Sequence, residues 1–296
     1  MSAMQPTRRT FLATLGCAAM AGRSAKAFAL RDPVGAQRRD AIVKNGRLKQ
    51  SVSRWPYNAI PLPAFCDAIA GMGLTAIDLL EEPDWAIARE HGLTCSMGYA
   101  GGGSIRDGLN VIANHDAIVS NFARLIPRAA AMQVPNVITF FGNRRGMSDE
   151  IAIANCITGL NRVKTIAEDH GVTICVELLN SKVNHPDYQG DRTAFGVAVV
   201  KAVASPRVKL LYDIYHMQIM EGDVIATVKK HKDYIAHYHT GGVPGRNEID
   251  ETQELNYPAI VKAILATGYA GFLGQEFIPK REPIASLGQA YKICDV

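Results

Sequence analysis

TICVELLN (173–180) runs apolar and closes on a carboxylate, Glu177. The pattern returns in VKLLYDIYH (208–216), YIAHYHTGG (234–242) and GFLGQEFIP (271–279), which close on Asp213, His239 and Glu276. Read as four successive strands, these segments bring three hard oxygen donors and one imidazole to strand ends, a set suited to Mn²⁺ or Mg²⁺. Working outward, short β-like runs alternate with longer helical ones. Strands are expected at 48–55, 75–80, 93–98, 136–142, 172–179, 208–214, 234–239 and 271–276. Helices are expected at about 115–132, 148–170, 192–204, 223–231, 257–267 and 283–293, with short ones near 63–71 and 84–90. Ser148, followed by Asp149 and Glu150, marks a helix start, and Gly92, Gly171 and Gly268 stand where helices stop.

Eight strands alternating with eight helices, without a repeat or a domain-sized linker, predict one (β/α)₈ barrel of the α/β class. The carboxyl ends of its strands share one mouth, so Glu177, Asp213, His239 and Glu276 become neighbours there. A doubly wound open sheet is the alternative; it calls for a glycine-rich phosphate turn after the first strand, and none is present. Gly101-Gly102-Gly103 lacks G-x-G-x-x-G spacing and reads as a flexible loop.

Residues 1–29 carry Arg8, Arg9, Arg23 and Lys26 and no acid, so the chain beyond them balances bases against acids and lacks the basic face that nucleic acid requires. That N-terminal segment, TRRTFLATLGCAAMAGRSAKAFA, has the order of a twin-arginine export signal: paired arginines, Phe11-Leu12, a short apolar stretch, then small residues. The expected organisation is a signal over 1–29, a polar linker over 30–47 and a catalytic barrel over 48–296, in a periplasmic or exported protein. No apolar run approaches the ~20 residues of a membrane span, so no stable membrane insertion is expected once the signal is removed. Cys66, Cys95, Cys156, Cys175 and Cys294 are scattered and form no C-x-x-C pair, which argues against a disulfide framework or a zinc knuckle.

A carboxylate that closes an apolar strand is costly unless something compensates it. One such group is as readily a loop cap or an ion-pair partner; four in register on strands five to eight point to a metal. His216 follows Asp213 at the third position and reads as a contact to substrate or to a ligand. Arg246, in GGVPGR after the seventh strand, can grip a carboxylate or hydroxyl with two N–H groups. Asn180, Trp55 and Trp85 are candidates to line the pocket, with core packing the simpler role for the tryptophans. His237 reads as a core histidine, and His185 and His231 as surface groups.

ICVELLN, LLYDIYHMQ, HYHTGGVPGR and GQEFIP resemble the sugar isomerase/epimerase barrels related to xylose isomerase, closest to hydroxypyruvate isomerase-like proteins. The resemblance spans roughly 48–290 and is strongest in the second half. It implies a xylose isomerase-like TIM barrel with one divalent ion on Glu177, Asp213, His239 and Glu276, and substrate contacts from His216 and Arg246. His239 stands where those isomerases typically carry glutamine; histidine there is more like the ketose 3-epimerases. Their second loop glutamate is missing from Asn184–Gly190.

The implied activity is isomerisation or epimerisation of a small α-hydroxycarbonyl through a metal-stabilised enediolate, with Glu177 and Glu276 exchanging the proton. A lyase or dehydratase acting on a related polyol ketone shares the first step, and a non-catalytic periplasmic sugar-binding barrel shares the metal site. The partner in each case is a small hydroxycarbonyl or sugar, and assembly into a homo-oligomer is compatible with all three.

Overall fold

A computed structural model describes residues 42–296. The export signal expected over 1–29, and most of the linker expected over 30–47, lie outside the described residues. Eight parallel strands form one sheet in the spatial order β1-β8-β7-β6-β5-β4-β3-β2. They are β1 (Lys49–Val52), β2 (Ala76–Leu80), β3 (Thr94–Gly102), β4 (Asn136–Phe140), β5 (Thr173–Leu178), β6 (Val208–Asp213), β7 (Ile235–Thr240) and β8 (Phe272–Gln275). The sheet closes between β1 and β2 through one parallel bridge, Ser53 to Asp78, reinforced by the Arg54 N–H donating to the Asp78 carbonyl at 3.0 Å. The α/β barrel expected from the alternating pattern is the fold.

Parallel strands covered on both faces read as nearly continuous apolar runs, because helices pack outside and side chains fill the interior. Every residue of β2, β4 and β5 is buried accordingly. The outer layer holds α1 (Leu62–Met72), α2 (Glu82–Glu90), α3 (His115–Ala131), α4 (Asp149–Asn161), α5 (Lys164–His170), α6 (Thr193–Val203), α7 (Ile214–Met220), α8 (Val224–His231), α9 (Tyr257–Ala266) and α10 (Pro283–Ile293). The expected cap holds at α4, where the Ser148 hydroxyl accepts from the Ile151 N–H at 3.4 Å. Gly171 ends α5 at φ +67°, a left-handed conformation that costs a residue without Cβ little.

The structure departs from the sequence expectation in three places. The helix expected over 148–170 is broken at Arg162–Val163 into α4 and α5; nothing in its local contacts explains the break. The glycine run at 101–103 is not a free loop. Strand β3 continues to Gly102, where a Cβ would meet the Phe122 ring at 2.7 Å and the Ile138 carbonyl at 2.8 Å, so glycine permits the close approach of β4. A short helix, α7, springs directly from the end of β6. Among the described residues no helix is long and apolar enough to cross a membrane.

Candidate active site

Register places the cluster. Asp213 pairs with His239 across β6 and β7, and His239 pairs with Gly274 across β7 and β8. Glu177 lies one strand away on β5, opposite Leu211 of β6. Glu276 immediately follows β8, its N–H donating to the Thr240 carbonyl at 3.2 Å. Ligand atoms from Glu177, Asp213, His239 and Glu276 all lie within 4.8 Å of one another, and all four residues are buried. The sequence pattern brought these four together, and the structure assembles them at the carboxyl end of the barrel.

The two glutamates sit in different surroundings. Glu276 receives the Trp55 indole N–H at 2.7 Å on Oε1 and Arg246 Nη2 at 2.7 Å on Oε2. Burial alone would raise its pKa, but Arg246 and His239 beside it hold the carboxyl well below the usual range. The Glu177 side chain makes no hydrogen bond, with His239 Nδ1 at 3.6 Å, and burial pushes its carboxyl up. Burial likewise pushes Asp213 up to about 7, against the pull of Arg246. Arg246 thus faces the carboxylates: its Nη2 is also 3.4 Å from Asp213, and its guanidinium lies over the Trp55 and Tyr215 rings at 5.2 and 5.5 Å.

The Asp-x-x-His spacing is a helix cap. Asp213 is the N-cap of α7 and its carboxylate accepts the His216 N–H at 3.1 Å, which fixes both side chains at the mouth. His216 is fully buried and held neutral, chiefly by burial. Its Nδ1 takes the Asn180 backbone N–H at 3.1 Å and the Asn180 side-chain amide at 2.6 Å. That network assigns the proton to Nε2, which has no hydrogen-bond partner and lies 3.7 Å from Asp213. His216 therefore offers one neutral N–H donor to the site.

Asn180, expected to touch substrate, does something else. Its amide donates to Asn184 and His216, and its carbonyl oxygen accepts the N–H groups of Val183 and Asn184. All four hydrogen-bonding positions of the side chain are filled, so none remains for a ligand. It positions His216. Trp55 contacts the cluster, whereas Trp85 is core and donates to the Leu80 carbonyl at 3.0 Å.

His185, expected at the surface, packs its ring 5.3 Å from that of His216. It lines a cavity of about 400 Å³ with Ile105, Arg106, Asn143, Asn184 and Pro186, large enough for a small metabolite.

Sequence reasoning missed Asp78. It lies in the middle of β2, fully buried, with Oδ2 at 2.6 Å from His237 Nε2 and 3.1 Å from His239 Nε2. The signal was the one used elsewhere: a carboxylate inside an apolar strand, AIDLL, is costly unless paired. His237 is the core histidine expected, and Asp78 is its partner.

The donor chemistry fits a hard divalent cation: three carboxylates and one imidazole on one buried surface. His239 Nδ1 makes no hydrogen bond but stands at ion-pairing distance, 2.9 Å, from Glu276 Oε2. Burial would lower the His239 pKa, but the carboxylates around the ring hold it well above the ordinary imidazole range, and a cation at Nδ1 would take the place of that proton.

Comparison with known proteins agrees with the fold. The chain is 38% identical over 122 residues to a 2-oxo-tetronate isomerase of Cupriavidus necator, covering 41% of this chain and 46% of that protein. It is 25% identical over 238 residues to a putative hydroxypyruvate isomerase of Homo sapiens, covering 79% and 80%. The chain thus spans about half the length of the first relative and most of the second. A Brucella melitensis structure described as an AP endonuclease of family 2 superposes with a TM-score of 0.74 at 24% identity, covering 81% of this chain and 97% of that one; this likeness concerns the fold alone. The family model described as the xylose isomerase-like TIM barrel matches residues 66–292, and the chain belongs to that family.

Proposed function

We propose that this protein is a divalent-metal-dependent isomerase or epimerase of a small α-hydroxycarbonyl, hydroxypyruvate-like or a ketose. The observation that carries the reading is the convergence of Glu177, Asp213, His239 and Glu276 within 4.8 Å at the mouth of the barrel. The two isomerase relatives support it. Those four residues would hold one Mn²⁺ or Mg²⁺. A bound ion of this kind would polarise the substrate carbonyl and offset the charge of an enediolate.

The chain's own residues divide the remaining work. Glu276, held by Trp55 and Arg246, is the more firmly oriented carboxylate. Glu177, free of hydrogen bonds to its side chain apart from the long approach to His239, is the better placed to take the proton from the substrate carbon. Glu177 would return it to the neighbouring carbon for isomerisation, whereas epimerisation would need a proton on the opposite face, which Glu276 would deliver after taking one from solvent. His216 Nε2–H would donate to the substrate oxygen that gains charge, and Arg246 would grip a second oxygen. The cavity lined by His185 has room for the rest of a short chain. Export by the twin-arginine pathway rests on residues 1–29 and is tested by processing and fractionation in a strain lacking that translocase.

The experiment is a solvent-deuterium exchange screen of the Mn²⁺-loaded protein with hydroxypyruvate, 2-oxo-tetronate and ketohexoses. Incorporation at carbon without change of molecular formula supports the proposal. Loss of water or chain cleavage would mark a lyase or dehydratase. Binding without exchange would mark a sugar-binding barrel and overturn the proposal.

A further inference from the structure

Asp78 stands behind His239, on the side of the ring away from the carboxylate cluster. Three features converge on that placement. First, β2 is irregular at this residue: its pairing with β3 shifts register on both sides of Asp78, between Ile77 and Asp78 and again between Asp78 and Leu80. Second, the intervening Leu79 adopts φ +58°, a left-handed conformation unfavourable for a leucine. A bulge of this kind re-aims a neighbouring side chain, and strain retained in a buried strand points to a positional requirement. Third, the residue beside His239 on β8 is Gly274, where a Cβ would collide with Asp78 Oδ2 and sit 2.8 Å from His239 Cδ2. Glycine leaves that space to the Asp78–His239 pair.

The contacts specify a direction. Asp78 Oδ1 accepts a short hydrogen bond from the Ser96 hydroxyl. Oδ2 faces the Nε2 atoms of both His237 and His239. A carboxylate only accepts, so each of those nitrogens must carry its proton. For His239 this leaves Nδ1, the atom that faces Glu177 and Glu276, as the nitrogen that can ligate a cation once the ion displaces any proton there.

We infer that Asp78 is a positioning residue that fixes the ring orientation and tautomer of His239, so that Nδ1 is presented to the metal. A metal-bound imidazole is commonly held this way by a carboxylate on its other nitrogen, and loss of such a partner weakens metal affinity about 10–100-fold. The inference rests on the reading of the four-residue cluster as a metal centre. It adds a residue from the opposite half of the barrel and assigns Gly274 and the β2 bulge to the same purpose.

The test measures Mn²⁺ binding by isothermal titration and electron paramagnetic resonance on the full chain. The wild-type protein should bind one ion. Asp78→Asn should bind it about 10–100-fold more weakly, and Gly274→Ala should also weaken it by forcing the pair apart. In the wild-type Mg²⁺-loaded protein, ¹⁵N imidazole shifts should show His239 protonated at Nε2 and ligated at Nδ1; this measurement stands even where both variants fail to fold. If the wild-type protein binds no ion, the metal centre itself is wrong. If it binds one ion and folded Asp78→Asn matches it within twofold, the centre stands and the positioning role falls. The positioning role also falls if His239 is ligated through Nε2, or if two ions bind per chain, which would make Asp78 a ligand.

Discussion

The two halves of the barrel contribute to the site in different ways. Strands β5 to β8 present Glu177, Asp213, His239 and Glu276 at or just beyond their ends, and register alone makes Asp213 and His239 neighbours. Strands β1 to β4 contribute no member of that cluster. Their residues reach it from the side: Trp55 after β1 donates to Glu276, and Asp78 of β2 faces His239. One half supplies the donors, and the other adds restraints to the one that Arg246 gives from the loop after β7. Parallel pairing can set donors side by side, but holding a carboxylate or imidazole in one rotamer takes a partner from a different direction, and barrel closure brings Trp55 and Asp78 to do so.

That division can be broken from its strongest side first. Glu177→Gln should reduce solvent-deuterium exchange about 10²–10⁴-fold, the usual contribution of general acid–base transfer, while Mn²⁺ still binds. Exchange measured at saturating metal checks this, and retention of most of the activity would remove Glu177 from the proton path.

Metal removal acts on the same chemistry and on stability as well. Chelation should abolish exchange, and Mn²⁺ at about 100 times its Kd should stabilise the fold by about 2.7 kcal/mol. At roughly 2–4 °C per kcal/mol for a domain of this size, Tm should rise by roughly 5–10 °C, read by calorimetry with and without the ion.

Trp55→Phe sharpens the comparison from the first half. It removes one hydrogen bond to an ionised Glu276 that keeps its contact with Arg246. A bond to a charged group contributes about 1.5 kcal/mol at the lower end, so kcat/KM should fall roughly tenfold. No change in steady-state kinetics would make the tryptophan a packing residue.

The smallest effect concerns the tie between the segment leading into β1 and Asp295. The Asp295 carboxylate accepts the N–H groups of Lys44, Asn45 and Gly46 just before β1. Burial would raise its pKa, but those N–H groups hold it below its ordinary value. Its stabilisation is therefore present above the unfolded-state pKa of about 3.9 and lost as pH falls through the lower folded-state value. Asp295→Asn should cost about 1 kcal/mol at pH 7 and flatten that part of the acid limb, as urea denaturation at several pH values would show.

Much of this was legible before the fold was known, for a physical reason. Apolar runs closing on Glu177, Asp213, His239 and Glu276 announce both a buried strand and a charge that burial must compensate, so fold and site share one signal. Asp78 carries the same signal in AIDLL, but it lies inside its strand rather than at the end, and its partners follow about 160 residues later. Asn180 carries no such signal, since an amide beside a candidate ligand looks free in sequence and the turn that saturates it is a tertiary fact. Gly101–Gly103 misled in the opposite sense, since glycine marks close backbone approach as well as freedom, and only the position of β4 distinguishes them.

From its sequence alone this protein is an α/β barrel whose second half gathers hard donors at its strand ends, because alternating hydrophobicity and strand-terminal charge are local properties. Which nitrogen of His239 faces the cluster, which glutamate is restrained and why Gly274 has no side chain were decided by tertiary structure. Each depends on groups from β1, β2 and the loop after β7, brought within hydrogen-bonding distance by closure of the barrel.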